Sequence, residues 1–237
     1  MLIVTQTKMT LSKKDVHIWI SDLNSETSDP SAYKCLLSPA EVQKAQNLRF
    51  SEDRNRYLWG RIQLRQLLGF YLDREPDSIR LSSTPYGKPY LTRKEGIHFN
   101  ISHSGDLLII GLSAGDPIGV DVEKLNRNVD VDSVSRNYYS ESEFRTIMDA
   151  DYDDKRNLFF KIWTRKESLI KGIGKGLGIS LQSFSVDQED PKVKWDMPAN
   201  ETGSDWYVSD LDVKSGYRAA FATPKQDFSL SCFSMNN

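Results

Sequence analysis

Asp121 and Glu123 stand two residues apart in the run GVDVE. On a strand, alternate side chains share a face, so the two carboxylates lie together about 7 Å apart while Val120 and Val122 face the other way. Carboxylates so placed suit one hard cation, because magnesium prefers oxygen ligands and keeps positions for water and phosphate oxygens. The same run also suits a solvated edge strand ahead of Lys124. In FFKIWTRKESLIKGIGKGLG (159–178), Trp163, Glu167 and Lys171 recur at four-residue spacing and form one helical stripe. Glu167 offers a third carboxylate, and Lys171, one turn on, offers a positive charge to a phosphate. The plain alternative is a surface ion pair worth about 0.2–0.5 kcal/mol. Trp163 on the same stripe argues for partial burial instead.

FNISHSGD (99–106) places Ser102, His103 and Ser104 between two apolar runs. A histidine beside small hydroxyls can hold phosphate oxygens through charge-assisted hydrogen bonds, or can be structural. No GxSxG nucleophile elbow accompanies it. His17 and His98 lack such a context and read as structural. In YGKPY (86–90), Gly87 permits a tight backbone approach, Pro89 stiffens it and Lys88 adds a point charge, although such sequences also serve simply as turns. Arg54, Arg56 and Arg61 make either a solvated helix face or a contact for a further phosphate. The glycines at 172, 174, 176 and 178 follow a helix and do not precede one, which excludes a Walker loop and a dinucleotide fingerprint. Three carboxylates, two lysines, a histidine and an arginine together fit a polyphosphate with magnesium.

The elements that must position these groups are legible in outline. VHIWI (16–20) alternates as a strand, and 99–102, 107–113 and 118–123 read as three more, with His103 to Asp106 as the turn between the first two. Ser38, Pro39 and Glu41 announce a helix by a capping box, with Leu37 and Val42 as its staple. A longer helix spans about 52–68, with Gly69 at its exit. Ser140 and Glu143 give a second capping box, stapled by Tyr139 and Phe144, and a second long helix follows over about 154–173. Short strands are expected at 182–186, 192–195, 205–209 and 217–222. Overlaying Trp59 on Trp163 matches the two long helices and suggests a duplication. A boundary near 115–118 divides the chain into 1–116 and 117–224, and the polar tail 225–237 reads as loose or as a packed surface extension.

Composition bounds the rest. The 237 residues, 38% hydrophobic and 27% charged, can bury a full core and are neither collagenous nor disordered. With 31 basic and 33 acidic residues the net charge is -2, which gives no global reason to expect nucleic acid or a membrane surface. Cys35 and Cys232 are too few for a disulfide scaffold or a four-cysteine zinc site. No apolar run approaches the about 18 residues of a membrane span, and the amino-terminal run is too short and polar for a signal-peptide core. A cytoplasmic protein is expected.

YGKPYL, FNISHSGD, IGVDVEK and WTRKESLIKGIGKGL, in that order, resemble the 4'-phosphopantetheinyl transferase superfamily, of the broad-specificity, surfactin-synthetase-activating type. The likeness extends from RYLWGRIQLR (56–65) to YRAAFAT (217–223). It implies an α+β fold of two similar α/β subdomains related by pseudo-two-fold symmetry, with the active site at their interface. It implies transfer of 4'-phosphopantetheine from coenzyme A to a serine of an apo acyl or peptidyl carrier protein, with release of adenosine 3',5'-bisphosphate. Carried over by motif, Asp121, Glu123 and Glu167 would hold magnesium or manganese. Asp121, Glu167 and Lys171 would be catalytic, with Lys171 on the pyrophosphate and Glu167 drawing the serine proton. Ser102 and His103 would hold coenzyme A phosphates, Lys88 would lie by the nucleotide, and Arg56 would reach the 3'-phosphate, with Lys44 a weaker candidate upstream. A monomer is expected, since each half supplies one side of the site. Two rivals remain at this stage: a magnesium-dependent nuclease, disfavoured for want of a basic run, and a carrier-binding module without catalysis, disfavoured by the intact Asp121, Glu123, Glu167 and Lys171.

Overall fold

Two long helices sandwich two sheets. The computed structural model describes residues 9–26, 28–93, 95–125, 128–186, 190–195 and 205–235. Residues 1–8, where the amino-terminal run begins, lie outside them. In chain order the elements are β1 (Asp15–Asp22), α1 (Pro39–Gln46), α2 (Ser51–Leu72), β2 (Leu81–Ser83), β3 (Pro89–Leu91), β4 (Ile97–Ser104), β5 (Leu107–Ala114) and β6 (Gly119–Lys124). Then follow α3 (Val131–Tyr138), α4 (Glu141–Asp149), α5 (Tyr152–Ile173), β7 (Phe184–Ser185), β8 (Lys194–Trp195), β9 (Tyr207–Leu211), β10 (Tyr217–Thr223) and β11 (Ser229–Ser234). The class is α+β. One sheet has the order β11-β1-β5-β4 and the other β6-β10-β9.

Strand alternation builds the layers. In LLIIGLSA, Leu107 and Ile109 join Val16, Ile18, Val120, Val122 and Phe221 in a core between the sheets. Leu108, Ile110 and Leu112 turn the other way and pack with Leu64, Leu67 and Leu68 of α2. On the far side, Ala220, Ala222 and Val208 pack with Phe159, Phe160, Ile162 and Leu169 of α5. The order through the molecule is therefore helix, sheet, sheet, helix. β6 is buried on both faces and is not a solvated edge strand, with Asp121 only 3% and Glu123 only 9% exposed.

Both capping boxes form, and each does more than start a helix. Glu41 of α1 takes buried Arg65 of α2 at 2.7 Å, while Arg65 also donates to the Ile79 carbonyl. Glu143 of α4 takes buried Lys166 of α5 at 2.8 Å, while Lys166 also donates to the Leu181 and Phe184 carbonyls. Both long helices have 22 residues and end in a left-handed cap, Asp73 and Gly174. Ser51 with Tyr152, Arg65 with Lys166, Leu72 with Ile173 and Asp73 with Gly174 all fall at one constant spacing. This register sets Trp59 against Phe160, so the overlay of Trp59 on Trp163 is replaced.

Other expectations are corrected as well. α2 runs through Gly69 to Leu72, because Gly69 serves close approach and not exit: a Cβ there would lie 2.6 Å from the Arg74 carbonyl oxygen. β4 continues through His103 and Ser104, paired with Leu108 and Leu107, since Gly105 in the left-handed region (φ 55°) lets two residues make the turn. The segment before α4 holds an unforeseen helix, α3, whose Asp130 cap accepts from the Ser133 amide. The tail is an edge strand, β11, running parallel to β1 in the first sheet.

Candidate active site

The extra length of β4 decides the geometry. Asn100, Ser102 and Ser104 share one face, opposite to His103. That face meets β6, whose outward amides are not taken by a backbone ladder. Asn100 Oδ1 accepts from the Val120 amide (2.9 Å), Ser102 Oγ from Val122 (3.3 Å) and Ser104 Oγ from Lys124 (3.1 Å). Side chains thus satisfy a strand edge that would otherwise bury unpaired donors. The serines also donate: Ser102 Oγ to Asp121 Oδ1 at 2.9 Å, and Ser104 Oγ to Glu123 Oε2 at 2.7 Å. Each hydroxyl holds the strand and a carboxylate in one arrangement.

α5 brings the remaining charges. Lys171 Nζ lies 2.5 Å from Asp121 Oδ1 and 2.9 Å from Ser102 Oγ, so it reaches strand β6 and the neighbouring half together. The Lys171 side chain is 32% exposed and that of its partner Asp121 only 4%. Burial raises the Asp121 pKa, Glu123 adds to this, and the Lys171 charge and the Ser102 hydrogen bond oppose it. Glu167, half-buried, is also raised: burial leads, the Asp121 and Glu123 charges add, and Lys171 opposes. The three acids therefore feel one another.

Among the described residues, no three His, Cys, Asp or Glu side chains already stand as a metal-holding group. Asp121 nevertheless carries the mark of a place for a cation, because its Oδ2 is buried without a hydrogen-bond partner. A buried, unpartnered carboxylate oxygen beside two more acids is costly unless a positive charge joins it. The donor set is all oxygen, as magnesium requires. The residues fit the ion.

A cavity of about 320 Å³ opens above this cluster, lined from one half by Tyr86, Lys88 and Asn100 and from the other by Glu167, Lys171 and Gly176. His103 lies on the opposite face of β4 from Ser102, with its edge open to solvent and the rest of the ring against protein. The protein around its ring displaces water and lowers its pKa, and the Lys171 and Arg56 charges lower it further. Arg56 pairs with Asp53 (2.9 Å) and Glu52 (3.2 Å) of its own helix, and the Lys44 ammonium lies over the Tyr57 ring. The structure brings Asp121, Ser102, Glu167 and Lys171 together, with Lys88 on the same cavity wall. It leaves Arg56, Lys44 and His103 toward the α1–α2 side. Sequence reasoning missed Asn100, and it offered Ser104 as a hydroxyl for phosphate where the structure sets it on Glu123. Their shared signal is the period of two in Asn-Ile-Ser-His-Ser, which a turn at His103 and Ser104 would hide.

Two family models match end to end: "4'-phosphopantetheinyl transferase, N-terminal" over residues 25–114, and "4'-phosphopantetheinyl transferase superfamily" over residues 117–222. The 4'-phosphopantetheinyl transferase Sfp of Bacillus subtilis (strain 168) is 32% identical over 83% of this chain and 86% of its own length. The chain belongs to the 4'-phosphopantetheinyl transferase superfamily. Other superfamily relatives include the transferase ffp of Bacillus subtilis, 33% identical over 81% of this chain and 84% of its own, and HetI of Nostoc, 31% identical over 71% and 73%. A solved holo-[acyl-carrier-protein] synthase from Thermotoga maritima overlaps 45% of this chain and 61% of its own at 19% identity and a TM-score of 0.34, too loose to build on. The superfamily's two model segments adjoin between Ala114 and Pro117, the stretch that joins β5 to β6. Among the described residues, no helix is long and apolar enough to cross a membrane.

Proposed function

We propose that this chain transfers the 4'-phosphopantetheine arm of coenzyme A to a serine of an apo carrier protein and releases adenosine 3',5'-bisphosphate, at the cavity between its halves. The observation that supports this most is Lys171, which joins Ser102 of one half to Asp121 of the other beneath a cavity lined from both.

The carrier serine oxygen attacks the β-phosphorus of coenzyme A. A P–O bond forms there, the bond to the bridging oxygen breaks, and the bisphosphate leaves with the electron pair. Lys171 stabilises the charge gathering on the leaving group, as an ammonium in a water-poor site does well. Glu167 takes the serine proton, directly or through water, from a position where burial and the Asp121 and Glu123 charges raise its pKa above the ordinary carboxylate value and a bound cation would lower it again. Asp121, Glu123 and Glu167 would hold magnesium, or manganese, and Ser102 and Ser104 fix the first two carboxylates. When bound, the ion neutralises the repelling pyrophosphate oxygens. His103 and Arg56 remain the proposed contacts of the phosphate end, and the Lys88 turn remains beside the nucleotide. We read the chain as the broad-specificity, surfactin-synthetase-activating type, with pseudo-two-fold halves, working as a cytoplasmic monomer.

The test is to incubate the protein with coenzyme A and a panel of apo carriers, with magnesium or with chelator, and weigh the carriers intact. Gain of one phosphopantetheine arm, only with the divalent ion, is the expected result. No gain on any carrier would overturn the reading. Light scattering on the active fraction tests the monomer.

A further inference from the structure

Lys88 lies on the cavity wall, yet its charge is spent inside the protein. Its Nζ donates to the Gly172 carbonyl at 2.7 Å and to the Ile118 carbonyl at 3.1 Å. Gly172 directly follows Lys171 in the last turn of α5, and Ile118 directly precedes β6, the strand of Asp121. We propose that Lys88 is a positioning residue: its ammonium ties the end of α5 and the start of β6 to the turn between β2 and β3, and so holds Lys171 and Asp121 in register from the opposite half. This rests on the reading of Lys171 and Asp121 as transferase machinery.

The anchor is rigid. The Lys88 carbonyl accepts from the Thr84 amide (2.9 Å), the Lys88 amide donates to the Thr84 hydroxyl (3.1 Å), and the Gly87 amide donates to the Thr84 carbonyl (2.9 Å). Gly87, at φ 84°, supplies the left-handed residue this turn needs. The path to the target is shaped as well: the lysine stem passes Gly174, where a Cβ would sit 3.0 Å from Lys88 Cδ. The target is a natural one for a cation, because the last carbonyls of a helix lack intrahelical partners and carry the negative end of its dipole. Both acceptors also flank the closest packing in the site, where Gly119 of β6 meets Gly172 of α5. One ammonium therefore spans the two backbones whose separation sets the Lys171–Asp121 contact. Burial lowers the Lys88 pKa to about 8, and the two carbonyls are what hold its ammonium there against that cost.

The test uses Lys88→Met, which keeps the stem and removes the donors, and Lys88→Gln, a neutral side chain that still donates. Amide hydrogen exchange is read in the ligand-free full chain at Val120, bonded to Asn100, and at Gly174, bonded to the Ile170 carbonyl. Transfer is read as kcat and KM for coenzyme A. The expected result for Lys88→Met is exchange at least tenfold faster at both amides, with kcat down about tenfold or more and KM within about twofold. Lys88→Gln should fall between Met and the natural lysine, which a role in apolar packing alone would not produce. Should Lys88→Met not fold, Lys88→Gln decides by the same two readouts. Unchanged exchange, or a raised KM with kcat intact, would overturn the strut and return Lys88 to nucleotide binding. A natural protein that transfers nothing would instead fail the functional reading, while the exchange result still judges the strut.

Discussion

Gly119 and Gly172 touch backbone to backbone. A Cβ on Gly119 would lie 2.3 Å from the Gly172 nitrogen and 1.9 Å from the Ser168 carbonyl oxygen, distances no side chain tolerates. Strand β6 and helix α5 approach this closely because Gly119 carries no side chain, while at Gly172 a Cβ would meet chiefly the Trp206 ring, 2.6 Å away. The approach puts Lys171, at the helix end, within reach of Asp121.

Gly119→Ala should therefore force the helix off the strand. Overpacking of this kind costs roughly 1–3 kcal/mol, and backbone neighbours cannot swing aside as a side chain can. Transfer should fall with stability, even at temperatures where the variant remains folded. Urea unfolding and transfer rate check this together; a variant as stable and active as the natural protein would show that the contact has slack.

Ser104→Ala should weaken the divalent-ion site while sparing the fold. It removes the hydrogen bond to Glu123 and leaves the Lys124 amide without its side-chain acceptor. A stability loss of about 1–2 kcal/mol is expected. The magnesium concentration for half-maximal transfer should rise several-fold, with KM for coenzyme A steady. A normal magnesium curve would reduce Ser104 to holding the strand edge.

Acid should destabilise the first half through His17. The ring is buried, with Nδ1 2.6 Å from the Tyr71 hydroxyl, which also accepts from Trp19 Nε1 at 3.1 Å. Burial holds His17 below its ordinary pKa, with Asp15 pulling weakly the other way. The unfolded chain binds the proton near pH ~6.5 while the folded chain still refuses it, so stability is lost as pH falls through that value toward the folded pKa. His98 and His103 are lowered too and share the slope. Unfolding free energy measured from about pH 7.5 to about pH 5.5 should drop, and His17→Phe should make the drop shallower. An unchanged slope in His17→Phe would contradict the assignment.

His103 should report the nucleotide. Its pKa is lowered by the surrounding protein and by the Lys171 and Arg56 charges. An anion set among those cations reverses the electrostatic part. Followed by NMR, the His103 titration should move up when adenosine 3',5'-bisphosphate binds; no movement at saturation would place the phosphates elsewhere.

What the sequence made legible was local. Ser38 with Glu41 and Ser140 with Glu143 lie within one helical turn, so their capping boxes can be read residue by residue. The sharing of a strand by Asp121 and Glu123 follows from alternation alone. What stayed hidden depends on distant partners. The burial of β6 comes from layers on both sides, and its edge is satisfied by side chains of β4, 20 residues away. Strand β11 pairs with β1 from the other end of the chain and is mostly exposed, so the short alternation of Phe228, Leu230 and Cys232 does not say which strand it joins. Lys166 looks like a surface charge in WTRKES until Glu143 and two carbonyls enclose it.

The central claim is that the Asp121–Lys171 contact lies at the chemistry. Asp121→Asn tests it most directly, since it keeps the size of the side chain and removes the charge that Lys171 meets and a cation would need. Transfer of the pantetheine arm to an apo carrier, at saturating coenzyme A and magnesium, should fall roughly 100-fold or more, as loss of a buried charge-stabilising group does. The melting temperature without magnesium should fall only modestly, because Lys171, about a third exposed, can turn its ammonium to water once the Asp121 charge is gone. A near-normal transfer rate from a folded Asp121→Asn protein would contradict the account.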